Sequence, residues 1–100
     1  MDKLKPSHDL EAFQAAFARH KSIAITAFKS AQSLGFRERS DVETVVEHLR
    51  RQDFVKSVTS FGNHRQWQDV YVIEWQGMSL YLKFTDHMVT EFILLSFKRK

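Results

Sequence analysis

The chain has 100 residues, of which 43% are hydrophobic and 27% charged, and its formal net charge is +3. This size and apolar content predict one globular domain spanning residues 1–100 and exclude a disordered chain. The moderate positive charge permits a nucleic-acid partner without requiring one. The chain has no Cys, which excludes disulfides and thiol chemistry. No apolar run reaches the roughly 18 residues of a membrane span, and the first residues lack a signal-peptide core, so we expect a cytoplasmic protein.

The first third of the chain has helical periodicity. A helix is predicted over 8–20, with Ser7 as its cap and an apolar residue at every third or fourth position. The segment KSIAIT at 21–26 fits either a short strand or an extended link. A second helix is predicted over 27–34, with Thr26 as its cap.

A third helix is predicted over 41–51. Ser40 and Glu43 have the spacing of a capping box at its start. Arg50 and Arg51 would lie in its last turn, where positive charge suits the helix dipole.

From residue 54 onward the apolar period changes to two, which predicts strands. Glycines mark the turns, at Gly62-Asn63 and at Gly77. In the last strand, alternation places Ile93, Leu95 and Phe97 on one face. Four strands are predicted, over 54–61, 67–75, 78–85 and 91–98. Helices followed by strands indicate an α+β fold, with N-terminal helices packed on one face of a C-terminal antiparallel β-sheet. The other face is then free for function.

Several hydrogen-bond donors lie in or beside these strands, and most can also carry a proton. Metal-free RNA cleavage needs such groups, because the 2′-hydroxyl must lose a proton, the phosphate charge must be stabilised and the leaving 5′-oxygen must be protonated. Taken singly, each residue has a simpler structural explanation, such as a solvated lysine or a half-buried strand tyrosine. These hydrogen-bond donors in or beside the strands are Lys56, His64, Gln68, Tyr81, Lys83 and Lys98.

Lys56 is the weakest member of this group by pattern. It shares its alternation with the apolar Phe54 and Val58, so a regular strand would not place it on a polar face. Only twist, a strand end or a β-bulge would turn it there.

The same segments form motifs. DFVKS stands at 53–57, HRQWQDVY at 64–71, YLK at 81–83 and SFK at 96–98. In order, spacing and distance from the C-terminus this set is similar to the MqsR-type toxins, small mRNA-cleaving proteins of bacterial toxin–antitoxin pairs. The match is specific over the second half of the chain, and the first half matches mainly in its three helical segments.

The resemblance implies a fold like that of the RelE-type ribonucleases and a metal-independent, sequence-preferring endoribonuclease without a cofactor. By motif, it implies catalytic residues at Lys56, Gln68, Tyr81 and Lys98. The lysines would hold the scissile phosphate, Tyr81 would donate or accept a proton, and Gln68 would orient the phosphate or a base. His64 is a second candidate for proton transfer.

The resemblance also implies partners. These are an mRNA substrate and a cognate antitoxin that binds zinc and DNA, with no membrane partner and no direct DNA binding by the toxin itself. Two segments depart from the family pattern, VIEWQGMS at 72–79 and the loop at 85–91, and both bear on sequence preference.

Two other functions stay open at this point. The same sheet would serve a non-catalytic module that binds RNA or an antitoxin. A DNA-binding regulator ranks last, because the helix predicted over 41–51 carries Glu43 and Glu47 in its middle.

Overall fold

A computed structural model describes residues 2–100 and has three helices and a five-stranded antiparallel sheet in the order β1-β2-β3-β4-β5. This confirms the predicted α+β class. None of the helices within residues 2–100 is long and apolar enough to cross a membrane. The elements are β1 (Asp2–Lys3), α1 (Leu10–His20), α2 (Ile25–Ser33), α3 (Arg39–His48), a 3-10 turn (Arg51–Asp53), β2 (Phe54–Ser60), β3 (Asn63–Trp75), β4 (Met78–His87) and β5 (Glu91–Arg99).

The hydrophobic core lies between the helices and one face of the sheet. The ring of Phe13 on α1 stacks on Phe84 of β4, with centroids 3.7 Å apart. Burial of such side chains is the main force that holds helices on a sheet. The strand residues in this core are Tyr71, Ile73, Leu80, Leu82, Phe84, Leu94 and Phe97.

The starts of the first two helices and their caps differ from the predicted ones. Helix α1 begins at Leu10, and the Asp9 carboxylate accepts a hydrogen bond from the backbone N–H of Ala12 at 2.9 Å. Ser7 does not cap it, since its hydroxyl lies 2.6 Å from that of Ser57 on β2. Helix α2 begins at Ile25 with no side-chain cap, so the predicted role of Thr26 was wrong.

Helix α3 runs from Arg39 to His48, two residues earlier than predicted at its start. The predicted capping box of Ser40 and Glu43 is wrong, because the Asp41 carboxylate accepts the backbone N–H of Glu38 at 2.8 Å instead. The helix ends before the two arginines, which lie in and beside the following 3-10 turn.

The N-terminal segment forms an edge of the sheet that was not predicted. Lys3 of β1 pairs with Ser57 of β2. The buried carboxylate of Asp69 accepts hydrogen bonds from the backbone N–H groups of Ser7 and His8, at 2.9–3.1 Å. Buried polar groups are stable only when paired in this way, so Asp69 fixes the segment across the sheet.

The link at 21–26 contains one isolated parallel bridge, between Ile23 and Leu94. The backbone N–H of Leu94 donates to Ser22 at 3.0 Å, and that of Ala24 donates to Leu94 at 2.9 Å. The link therefore fixes the edge strand β5 beneath α2.

Strand β5 contains a bulge that the alternation did not predict. Ser96 lies opposite Lys83 and Leu94 lies opposite Phe84, so Leu95 is an extra residue. Leu94 and Phe97 both reach the core as a result. The predicted grouping of Ile93, Leu95 and Phe97 on one face was therefore wrong.

The first hairpin is longer than predicted. Ser60 pairs with Asn63, so the turn residues are Phe61 and Gly62, and β3 begins at Asn63 rather than at 67. Gly62 has a φ of +86°, a conformation that residues with a side chain rarely adopt.

Candidate active site

We call the sheet surface opposite the helices the free face. Successive strand residues point to opposite faces, and directly paired residues share a face. Because Tyr71 and Leu82 point into the core, their neighbours point to the free face. Its members along β2, β3, β4 and β5 are Lys56 and Val58, then Gln68, Val70 and Val72, then Tyr81 and Lys83, then Ser96 and Lys98.

A β-bulge turns Lys56 onto this face. Phe54 lies opposite Tyr71 and Lys56 lies opposite Val70, so Val55 is the extra residue. The bulge lets Phe54 pack against the core while Lys56 points away from it. This resolves the conflict between the apolar alternation of β2 and a polar role for Lys56.

Tyr81 and Lys98 are direct cross-strand neighbours. The Nζ atom of Lys98 lies 5.0 Å from the centre of the Tyr81 ring. Burial raises the pKa of the Tyr81 phenol above its ordinary value of 10.0. The phenol therefore keeps its proton at neutral pH and can donate a hydrogen bond. The backbone N–H of Lys100 donates to the carbonyl oxygen of Ser79 at 2.9 Å, so the residues after Lys98 stay in contact with β4.

Lys83 lies in the middle of the free face. It is directly opposite Val70 and Ser96, and Tyr81 is two residues away on the same strand. Burial, followed by the charges of Lys98 and Lys56, lowers the pKa of its ammonium group from the ordinary 10.5. Val70 beside it is only 1% exposed, so the surrounding side chains cover the sheet here.

Gln68 joins this group from the neighbouring strand. It lies opposite Val58 and two residues from Val70 along β3, and it is 8% exposed. Diagonal neighbours in a sheet lie about 7–8 Å apart, which brings the amide within reach of Lys83.

His64 is not brought to the same place. It is exposed and lies four residues from Gln68 along β3. The pairing of β3 with β2 is irregular between Asn63 and Trp67, so His64 lies outside the regular ladder that carries Gln68. The structure thus groups Lys56, Gln68, Tyr81 and Lys98, and places His64 beyond them.

Negative charge lies at the rim of the free face. The Asp2 carboxylate is 3.8 Å from Lys56 Nζ on the side of β1. Glu74, two residues beyond Val72, accepts a hydrogen bond from the Ser79 hydroxyl. The centre of the face is therefore cationic and its two ends are acidic, an arrangement that fits a single phosphate better than a long polyanion.

The resemblance did not identify Lys83 as catalytic, although the sequence held a signal for it. Tyr81 and Lys83 alternate with Leu80, Leu82 and Phe84, which places both polar side chains on one face. The central position of Lys83 on the free face depends on how β4 pairs with β3 and β5, and alternation along one strand does not show that pairing. Within residues 2–100 no three His, Asp or Glu side chains are placed to hold a metal ion.

Comparison with known proteins agrees with the motifs. The family described as "Motility quorum-sensing regulator, toxin of MqsA" matches residues 5–99. The mRNA interferase toxin MqsR of Escherichia coli (strain K12) is 33% identical over 75 residues, which cover 75% of this chain and 74% of that protein. The family match covers the three helices and the free-face residues of β2 to β5. The chain therefore belongs to the MqsR toxin family.

Proposed function

We propose that this chain is the toxin of a bacterial toxin–antitoxin pair and a metal-independent, sequence-preferring endoribonuclease that cleaves mRNA and so inhibits translation and growth. Its relative in Escherichia coli is named an mRNA interferase toxin. The observation that carries the proposal is the clustering of lysines with Tyr81 and Gln68 on the sheet face opposite the helices.

The chemistry uses the nucleophile that RNA supplies. The 2′-oxygen loses its proton and attacks the phosphorus, and the bond from phosphorus to the 5′-oxygen breaks. The products are a 2′,3′-cyclic phosphate and a 5′-hydroxyl that has gained a proton. The phosphate carries extra negative charge during the attack, and cations placed in advance stabilise that charge.

The free face supplies groups that hold and neutralise the phosphate, and the proton that leaves the 2′-oxygen passes to solvent water. Lys56 and Lys98 neutralise the phosphate from either side. Tyr81, which keeps its proton, donates a hydrogen bond to a phosphate oxygen. Gln68 orients the phosphate or a base edge. His64 stays a second candidate for proton transfer, and its place farther along β3 suits contact with a neighbouring nucleotide.

The partners follow from the family and the chemistry. An antitoxin neutralises the toxin, and we propose that it is a protein that binds zinc and DNA. The toxin itself needs neither a cofactor nor direct DNA contact for cleavage, and it acts in the cytoplasm, where mRNA is available.

A cleavage assay tests the proposal. Purified protein is incubated with a long RNA in EDTA and without ribosomes, and the new ends are analysed. We expect cleavage that leaves 2′,3′-cyclic phosphates. Loss of one stabilising group typically costs a factor of about 10²–10³, so Lys56→Ala and Tyr81→Phe should each reduce the rate by about that much.

The matched control is Lys29→Ala, which removes an exposed lysine on α2, on the helix side of the sheet. It should leave the rate unchanged. A folded wild type that binds RNA but never cuts it, with or without added metal or ribosomes, would instead indicate a non-catalytic binding module. Inhibition by EDTA that added metal reverses would overturn the metal-independent mechanism.

A further inference from the structure

Lys83 holds the central position among the proton-bearing groups of the free face. Lys56 and Lys83 both pair with Val70 of β3, one from each side. Lys56 therefore lies two strands away from Lys83 at the same height along the sheet. Lys98 is a diagonal neighbour on β5, two residues from Ser96, the residue directly opposite Lys83. A phosphate held between Lys56 and Lys98 therefore lies over Lys83.

We propose that Lys83 is a catalytic residue of this site, and that its ammonium group donates the proton to the leaving 5′-oxygen. This inference rests on the proposed ribonuclease function. As the bond from phosphorus to the 5′-oxygen breaks, that oxygen takes a proton from Lys83 Nζ and leaves as a hydroxyl. Lys83 becomes a neutral amine and regains its proton from water when the product has left.

The surroundings of Lys83 suit an acid rather than a fixed charge. A general acid must hold its proton at the working pH and release it readily, so its pKa should not lie far above that pH. Burial and the two neighbouring lysines lower the pKa of Lys83, which makes its proton easier to give up. The carboxylates at the rim, Asp2 and Glu74, lie near Lys56 and Ser79 rather than beside Lys83.

Three other members of the face are less suited to this step. The pKa of Tyr81 is raised, which strengthens its hold on its proton. Gln68 has no proton to transfer at any accessible pH. Lys56 already has an ion-pair partner, since the Asp2 carboxylate lies 3.8 Å from its Nζ.

The test uses two RNA oligonucleotides that contain the cleavage site mapped in the assay above. One has the natural 5′-oxygen at that site, and the other has a single 5′-sulfur in its place. A thiolate leaves without being protonated, so the sulfur substrate does not need a general acid. The variant Lys83→Met keeps the aliphatic stem, and Lys83→Arg keeps the positive charge but holds its proton too tightly to act as an acid.

General acids typically contribute a factor of about 10²–10⁴. We expect both variants to lose at least about 100-fold on the oxygen substrate and less than about fivefold on the sulfur substrate. Lys56→Ala, which removes a phosphate contact, should lose the same factor on both. Circular dichroism establishes that each variant is folded, and if Lys83→Met is not, Lys83→Arg alone decides the question.

Each other outcome has a definite meaning. Equal losses on both substrates would make Lys83 a phosphate-binding residue and overturn the acid role. Full activity of the Lys83 variants, with an active wild type, would remove Lys83 from the mechanism and leave the ribonuclease intact. A wild type that cuts neither substrate would overturn the ribonuclease, and this inference with it.

Discussion

Lys83 is held in an environment that disfavours its own charge. Burial and repulsion from Lys98 and Lys56 both penalise the protonated ammonium. Groups that are destabilised in this way are common at functional sites, where stability is lost in favour of reactivity. Removing the charge should therefore stabilise the fold while it impairs cleavage.

We predict that Lys83→Met raises the melting temperature at pH 7 by a few degrees. The pKa of Lys83 is lower in the folded chain than its ordinary 10.5, so the folded state binds its proton less well than the unfolded state does. The penalty is fully present below the folded pKa and disappears as the pH rises towards 10.5. Thermal unfolding of both proteins across pH 7–10.5 should show the difference shrinking.

Lys29→Met is the control for this measurement, because Lys29 is exposed and its replacement should change stability little. A Lys83→Met protein that is less stable than the wild type at pH 7 would mean that Lys83 makes a net favourable contribution. In that case the charge of Lys83 would not destabilise the folded protein.

The bulge in β2 decides which face Lys56 occupies. With Val55 as the extra residue, Phe54 and Lys56 lie opposite two consecutive residues of β3. A one-residue change of register in a regular strand moves every following side chain to the other face. Deletions on the two sides of Lys56 should therefore have opposite effects.

We predict that deleting Val55 is tolerated, with less than about 1 kcal/mol lost and cleavage retained, because it converts the bulge into a regular ladder without turning Lys56. Deleting Val58, which lies in the regular part of the strand, would turn Lys56 towards the core and the buried Ser57 outwards. An unpaired charge facing the core costs several kcal/mol, so this protein should be largely unfolded and inactive. Thermal unfolding and RNA cleavage compare the two, and equal tolerance of both deletions would show that the register of β2 does not determine the site.

Strand β4 and the two bulges show which parts of the fold the sequence could predict. Strand β4 was predicted well because its strict alternation sets both faces, and Tyr81 and Lys83 lie where that pattern puts them. The bulges at Val55 and Leu95 were not predictable, since a bulge is defined by the pairing with the next strand. The helix caps were wrong for other reasons: the Ser7 hydroxyl lies against Ser57, the Asp41 carboxylate takes the place predicted for Glu43, and α2 has no side-chain cap.

At the scale of the molecule, the arrangement of charge matters more than its amount. The net charge is only +3, yet Lys56, Lys83 and Lys98 share one face of the sheet. Carboxylates border this cluster at Asp2 and Glu74. A protein that bound RNA through its overall charge would not need this pattern, whereas one that binds at a single phosphate would.

This difference can be measured as the salt dependence of RNA binding. Each phosphate contact to a single strand contributes about −0.7 to the slope of log K against log salt concentration. A single phosphate held by the lysines of the free face therefore predicts a slope of only about −0.7 for an RNA protected by a 2′-O-methyl group at the cleavage site. Lys98→Ala should weaken binding, and Lys29→Ala should leave both the affinity and the slope unchanged. A slope much steeper than this, which Lys29→Ala also reduces, would mean that RNA wraps onto the helical side, so that the acidic rim does not confine binding to the free face.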